Sequence, residues 1–288
     1  MGPVVTLDHP SVLSSDNIIG QGSLGNQGDT LILVKLGGSV ITDKSRLRTF
    51  RKDACERLAG ELGPALREGL VVVHGAGSFG HIMAKKHELH KGFKRMSQLE
   101  HVAGVQRDVR ELNLRVLEAL IDNGVSAVSV APAASSTFRG GAVTSFCEEA
   151  FSSLIELHLT PVTFGDVVPD ESMGFSICSG DLMMLELAKA FRPRIAVFCA
   201  DVDGVFDKDP KLHGNAELMR EVDSTVLARF SGRSVNADVT GSMRGKLERM
   251  LAISSHCEKC MIVNGNVRGR LESAVRGRKV VSTAVVSR

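Results

Sequence analysis

Leu31-Ile32-Leu33-Val34-Lys35-Leu36-Gly37-Gly38-Ser39 is an apolar run that carries one lysine and stops at two glycines. A short continuous apolar run bounded by glycine reads as a strand buried on both faces. Leu70-Val71-Val72-Val73 repeats the pattern and ends at His74-Gly75-Ala76-Gly77; Thr160–Phe164 and Ile195–Cys199 repeat it again. Helical patterns fall between these runs. Residues 50–68 read as a helix broken at Gly63-Pro64. Residues 98–122 read as a long one, with Leu99, Val102, Val105, Val109, Leu112, Val116 and Leu120 three or four apart and Asn123-Gly124 closing it. Further helices are expected over 148–158, 181–191 and 241–256. Further strands are expected over 125–130, 260–263 and 280–286, with a hairpin over 166–177. Buried strands alternating with amphipathic helices define an α/β chain: an open αβα sandwich around a mainly parallel sheet. In such a sheet ligands gather beyond the carboxyl ends of the strands. The unusual loops, 37–44, 75–81, 165–166 and 200–211, fall at those ends.

Composition narrows the function. The chain has 288 residues, 43% hydrophobic and 24% charged, with a net charge of +2. That balance suits a soluble globular protein and excludes a disordered or fibrous one. The charge is too small for a general nucleic-acid binder. All 12 aromatic residues are Phe, with no Trp or Tyr to stack on bases or anchor at a membrane surface. No nucleic-acid or membrane partner is therefore expected. Residues 1–29 are rich in Gly, Ser, Asn and Asp and read as a flexible arm, without the basic start and apolar run of a secretory leader. Several of the six cysteines sit in apolar runs, as reduced core cysteines do, which points to the cytoplasm. Cys257 and Cys260 have the spacing of half a zinc site, but no second pair accompanies them.

The loops carry the chemistry. Gly37 and Gly38 let backbone amides approach a ligand, and Lys35 within a strand is costly to bury unless an anion meets it; a lysine snorkelling from a strand end is the alternative. Gly75, Gly77 and Gly80 match the spacing G-x-G-x-x-G. A basic stretch over 85–95, read as a solvated face or a lid, follows instead of the βαβ unit that a dinucleotide site requires. What remains is a second amide cradle, with His81 at its end as a phosphate donor or a capping residue. There is no G-x-x-x-x-G-K-[ST] loop. Two anion cradles at neighbouring strand ends, with lysines between them, suit phosphoryl transfer between two phosphate-bearing ligands. Ser179-Gly180-Asp181 opens a helix, so Asp181 either caps it or holds lysines. Asp201-Val202-Asp203-Gly204-Val205, with Lys211 beyond, could hold a ribose and a base edge; a solvated turn is the alternative. Asp238-Val239-Thr240-Gly241 precedes a helix that carries Lys246.

In this order, Lys35–Ser39 with Lys44, His74–His81, Gly165-Asp166, Ser179–Asp181, Asp201–Val205, Asp238–Gly241 with Lys246, and Asn264-Gly265-Asn266 make the sequence resemble the amino-acid-kinase superfamily, and within it the isopentenyl phosphate kinases. The resemblance covers residues 31–286. It implies a single kinase domain over 30–288, with an acceptor-binding lobe over about 30–178 and an ATP-binding lobe over about 179–288. It implies ATP-dependent phosphorylation of isopentenyl phosphate, a small monophosphate, to the diphosphate, with Mg2+ carried largely by the nucleotide. Lys35, Lys44, His81, Asp181 and Lys246 would be catalytic. Ala76, Gly77, His81 and Gly165 would hold the acceptor. Lys35, Gly37, Gly38, Ser39, Gly77, Asp181, Asp201, Asp203, Gly204, Val205, Lys211, Gly241 and Lys246 would hold ATP, and no residue would serve as a dedicated metal ligand. Phe79, Ile82, Met83 and Phe93 are candidates for an apolar slot that takes the isoprenoid tail. A homodimer is expected by analogy with the fold. The chain departs from the family pattern at Ala76 and Ser242, where many members have Gly, at Leu182 for an acidic residue and at Ala200 for Thr; these bear on affinity more than on reaction type. A same-fold kinase of a phosphonate such as fosfomycin, and a catalytically silent nucleotide sensor, are the competing readings.

Overall fold

The computed structural model describes residues 30–208, 210, 212–232 and 241–288, the side chains of 229–232 and 241–243 excepted. The expected arm, Lys211 and Asp238-Val239-Thr240 lie outside the described residues. The first half comprises β1 (Ile32–Leu36), α1 (Gly38–Ile41), α2 (Lys52–Glu61), β2 (Leu70–His74), α3 (Gly77–Lys86), α4 (Leu99–Asp122), β3 (Ala127–Ser129), α5 (Pro132–Ser135), β4 (Ser136–Arg139), β5 (Ala142–Phe146), α6 (Glu149–Glu156) and β6 (Thr160–Phe164). The second half continues with β7 (Asp166–Asp170), β8 (Gly174–Cys178), α7 (Gly180–Phe191), β9 (Ile195–Ala200), β10 (Val205–Phe206), β11 (Leu218–Met219), β12 (Glu221–Val222), α8 (Ser224–Gly232), α9 (Gly241–Ser254), β13 (Lys259–Asn264), α10 (Arg270–Val275) and β14 (Ser282–Val285).

Eight strands form one sheet in the order β12-β14-β13-β9-β1-β2-β6-β3. From β13 to β3 every neighbouring pair is parallel, and β14 runs antiparallel to β13. The expected mainly parallel sheet is therefore present. Its two faces follow the alternation of side chains along each strand. Ile32, Val34 and Leu36 of β1 share a core with α2, α4 and α10. Leu31 and Leu33 share the opposite core with Met183, Met184 and Leu187 of α7 and Leu247, Met250 and Ile253 of α9. Residue 35 keeps step with 31 and 33, so Lys35 faces α7 and α9. A third cluster, with Leu89, Val105, Val109, Phe164, Val167 and Phe175, lies where α4 meets the β7–β8 hairpin.

Several expectations are corrected. The loop expected over 75–81 is short, because α3 starts at Gly77 and already contains His81. The first glycine loop winds into the single turn of α1. The β4–β5 hairpin, α10, β12 and α8 had no counterpart in the sequence reading. The hairpin expected over 166–177 is present, turning at Glu171–Gly174. The basic stretch after α3 docks on its tip: the Phe93 amide donates to the Met173 carbonyl at 2.8 Å, and the Phe93 ring meets Phe175 edge-on.

Candidate active site

The parallel strands all end at one edge of the sheet, and a cleft of about 210 Å³ opens there. Lys35, Lys44, His81, Asp181 and Lys246 all line it. Residues far apart in the chain meet because β1, β2, β6 and β9 end side by side and α7 and α9 pack over them.

Two glycine loops build the floor. The Gly37 amide donates to the Cys199 carbonyl at 3.0 Å, and a Cβ on Gly37 would sit 2.3 Å from that oxygen. A Cβ on Gly38 would lie 2.6 Å from both Cα and N of Gly77, and one on Gly75 would lie 2.8 Å from the Gly38 nitrogen. The two cradles thus touch backbone to backbone, which only glycine permits. Gly37, Gly38, Ser39, Ala76 and Gly165 line the cleft. Gly77 opens α3 beside them with φ +49°. Helices α3 and α7 begin at this edge. First-turn amides lack intrahelical partners, so both amino ends favour an anion in the cleft.

Lys35 is 7% exposed, and its Nζ donates to Asp181 Oδ1 at 2.5 Å. Its ammonium also lies 5.8 Å from the centre of the Phe198 ring. Gly180 makes room for it: a Cβ there would be 3.2 Å from Lys35 Cε. Burial pushes the Lys35 pKa down; Asp181 opposes that, while Lys246 and Lys44 add to it. Burial would raise the Asp181 pKa, but the charge and hydrogen bond of Lys35, with Lys246 and Arg249, hold it below the carboxylate range. The ammonium groups of Lys35 and Lys246 and the Arg249 guanidinium thus act on one carboxylate, and Lys44 lines the same cleft, an arrangement with spare positive charge for phosphate oxygens. Ser179 caps α7 by accepting from the Leu182 amide at 3.1 Å, which frees Asp181 from capping.

His81 sits on the second turn of α3, open to solvent along the cleft and walled by protein elsewhere. Desolvation by those walls lowers its pKa, and the charges of Lys44 and Lys35 lower it further. A neutral imidazole keeps one N–H to donate. His74, one strand end away, has a fold role. It is fully buried with a pKa lowered to about 4, accepts from Asn113 Nδ2 at 3.1 Å and contacts the Gly75 carbonyl through Nδ1.

The expected nucleotide loop falls beside the cleft. Asp201 accepts from Ser39 Oγ at 2.9 Å. Burial opposes its ionisation, but the Ser39 hydrogen bond and the charges of Lys44 and Lys246 keep its pKa low. Asp203 accepts from Asn264 Nδ2 at 2.8 Å and from the Arg270 guanidinium at 2.6 Å, which ties the loop to α10. Gly204 has φ +155°, and the Val205 amide donates to Thr283 Oγ1 at 2.8 Å. Asp201, Asp203, Gly204 and Val205 do not line the cleft. Gly241 opens α9, the helix that brings Lys246 in.

The apolar slot is not where the sequence placed it. Phe79 is buried in the core on the far side of α3, Phe93 is 42% exposed, and Ile82 and Met83 do not line the cleft. The apolar lining comes instead from Ala84, Val105, Val109, Val167 and Ile177. A legible signal existed in Ala76, Gly80 and Ala84, small residues four apart that flatten one face of α3. Asp166 enters the sequence analysis only as part of the Gly165-Asp166 segment, with no role of its own. It lines the cleft, 3% exposed, 3.1 Å from the Arg110 guanidinium, and burial pushes its pKa up to about 6 against that partner. Cys257 and Cys260 are free thiols, and no group of three His, Cys, Asp or Glu suited to a metal occurs among the described residues.

The chain belongs to the amino acid kinase family, whose profile matches residues 30–264. It is 34% identical over 265 residues to the isopentenyl phosphate kinase of Methanothermobacter thermautotrophicus, covering 90% of this chain and 100% of that relative. It is 35% identical to that of Thermoplasma acidophilum, covering 82% and 92%. X-ray structures of isopentenyl phosphate kinase superpose with a TM-score of 0.78 at 32% identity, covering 89% of this chain and 100% of that one. The T. acidophilum product complex gives 0.74 at 32% identity, covering 89% and 100%. UMP kinase from Ureaplasma parvum, at 13% identity and a TM-score of 0.62, shares the fold.

Proposed function

We propose that the chain transfers the γ-phosphoryl group of ATP to isopentenyl phosphate, forming isopentenyl diphosphate and ADP. The observation that carries this reading is the position of His81: it faces the same cleft as Lys35, Lys44 and Lys246 and stands beside an apolar slot. A phosphate head fits the histidine and the amides, and a short branched hydrocarbon tail fits the slot.

The acceptor phosphate would rest on the His81 ring and the backbone of Ala76, Gly77 and Gly165. The β- and γ-phosphates of ATP would rest on Gly37, Gly38 and Ser39, with Lys35 and Lys246 across them. The nucleoside would extend toward the Asp201, Asp203, Gly204 and Val205 loop and the start of α9 at Gly241. Lys211 would join them from outside the described residues. An acceptor oxygen attacks the γ-phosphorus while its bond to the β,γ-bridging oxygen breaks and ADP leaves. The acceptor is already an anion, so no general base is needed. Catalysis is placement plus charge neutralisation. Lys44 would follow the moving phosphoryl group, and Asp181 would keep Lys35 aimed. Mg2+ would ride on the nucleotide's phosphates and offset their charge, with Asp181 the carboxylate at that wall of the cleft.

Six free cysteines and the lack, among the described residues, of any helix long and apolar enough to cross a membrane support a cytoplasmic setting. A homodimer belongs to the same reading by analogy with the fold. ATP consumption with isopentenyl phosphate, fosfomycin and a carboxylate acceptor tests the proposal. Turnover with isopentenyl phosphate alone is expected. Turnover confined to fosfomycin, or none with any acceptor, refutes it.

A further inference from the structure

Thr42 lies outside the cleft lining, yet its hydroxyl joins the two cradles that form the floor. It ends α1, is 1% exposed, and its backbone amide donates to the Gly38 carbonyl at 3.0 Å. Its Oγ1 donates to the same carbonyl at 2.6 Å. The same oxygen accepts from the Ser78 amide, in the first turn of α3, at 3.0 Å. One hydroxyl thus uses its proton on the first glycine loop and a lone pair on the helix that opens the second. The contact is tight: a Cβ on Gly77 would lie 2.2 Å from Oγ1 and 2.7 Å from Cγ2 of Thr42. Lys44 follows two residues later. Few buried groups could do this, because both jobs need a donor and an acceptor on one short side chain.

We infer that Thr42 is a positioning residue: its hydroxyl sets the spacing between the donor-phosphate cradle at Gly37–Ser39 and the acceptor-phosphate cradle at Ala76–Gly77. The inference rests on the proposed phosphoryl transfer. A methyl group in place of the hydroxyl keeps the volume but leaves the Ser78 amide and the Gly38 carbonyl without this partner, so the cradles drift apart. Each cradle still binds its own phosphate. What fails is their alignment, and water gains access to the γ-phosphorus.

The test compares Thr42→Val, Thr42→Ala and Thr42→Ser with the parent chain in ATP and isopentenyl phosphate. The readout is the ratio of transfer to isopentenyl phosphate over hydrolysis to water. That ratio is set by active molecules alone, so a loss of folded protein does not move it. The parent assay stands as a separate control: a parent that makes no diphosphate refutes the proposed function and not the role of Thr42. Thr42→Val and Thr42→Ala should lower the ratio at least tenfold with the KM for ATP within threefold. Thr42→Ser should restore it to within threefold of the parent. An unchanged ratio in Thr42→Val, or an equal loss in Thr42→Ser, overturns the assignment. If Thr42→Val fails to bind ATP, Thr42→Ala decides; if both fail, Thr42 is a folding element and the assignment falls.

Discussion

Replacing Gly38 with alanine places a methyl carbon 2.6 Å from both Cα and N of Gly77. Carbon atoms rest at about 3.5–4.0 Å, so one loop must retreat by about 1 Å. Neither atom is a flexible side-chain end; both belong to the backbone of the second cradle. Gly38 has no positive φ, so the alanine backbone itself is unstrained and the whole effect comes from the contact. Displacing reacting groups by 1 Å can cost about 100-fold in rate, equivalent to about 2.7 kcal/mol. Overpacking adds about 1–3 kcal/mol of instability. Steady-state kinetics with ATP and isopentenyl phosphate, alongside a thermal melt, separate the two. Gly38→Ala should lower kcat about 100-fold in protein that remains folded at the assay temperature. Gly104→Ala is the control, because it lies within α4 and a Cβ there meets nothing within 4 Å; it should leave kcat unchanged and raise the melting point, since alanine favours a helix by about 1 kcal/mol over glycine. A Gly38→Ala variant with kcat within threefold of the parent would refute the backbone contact as the element that sets the reaction distance.

His81→Ala should abolish use of the acceptor while leaving ATP binding within threefold; normal turnover in that variant removes His81 from the site. Lys44→Ala should lower kcat by about 10²–10³, the scale for losing one donor to a transition-state anion, with little change in either KM. A change in KM alone makes Lys44 a binding residue only. Asp166→Asn should stabilise the protein increasingly as pH rises. The folded pKa of Asp166 lies near 6 against an ordinary 3.8, so between those values the folded state holds a proton that the unfolded state has lost, and stability falls as pH rises through that window. The gain at pH 7–8 is about 3 kcal/mol, at 1.36 kcal/mol per pKa unit, and vanishes below about pH 4. Denaturant melts of both proteins from pH 4 to pH 8 measure it; a gap that widens toward acid contradicts the burial argument.

The strands that position the site were legible because they are buried on both faces. β1, β2 and β9 read as short, mostly apolar runs, as does Cys260–Val263 of β13, while β6 carries two threonines among its buried residues. Lys35 stood out for the same reason, as a charge inside such a run. β4 and β5 were missed because they are largely exposed and lack the run, although the Gly140-Gly141 turn between them, with φ of +62° and +78°, marks a hairpin. The apolar slot was illegible for a different reason. Val105 and Val109 lie on the periodic face of α4, and spacing alone does not separate a residue facing a ligand from one facing the core. The residues chosen instead, Phe79, Ile82, Met83 and Phe93, lie on α3 or just after it, whereas the apolar lining of the cleft comes mostly from α4 and the β7–β8 hairpin. The Arg270 that meets Asp203 is 67 residues away and invisible to local reading.

In the proposed reaction two phosphates meet head to head in one cleft, with no group of the chain accepting the phosphoryl in between. The configuration of the transferred phosphorus reports this directly. With ATP made chiral at the γ-phosphorus by sulfur and oxygen isotopes, the isopentenyl diphosphate formed should show inversion at that atom. Retention, the mark of two successive displacements through a phosphorylated residue, would contradict it.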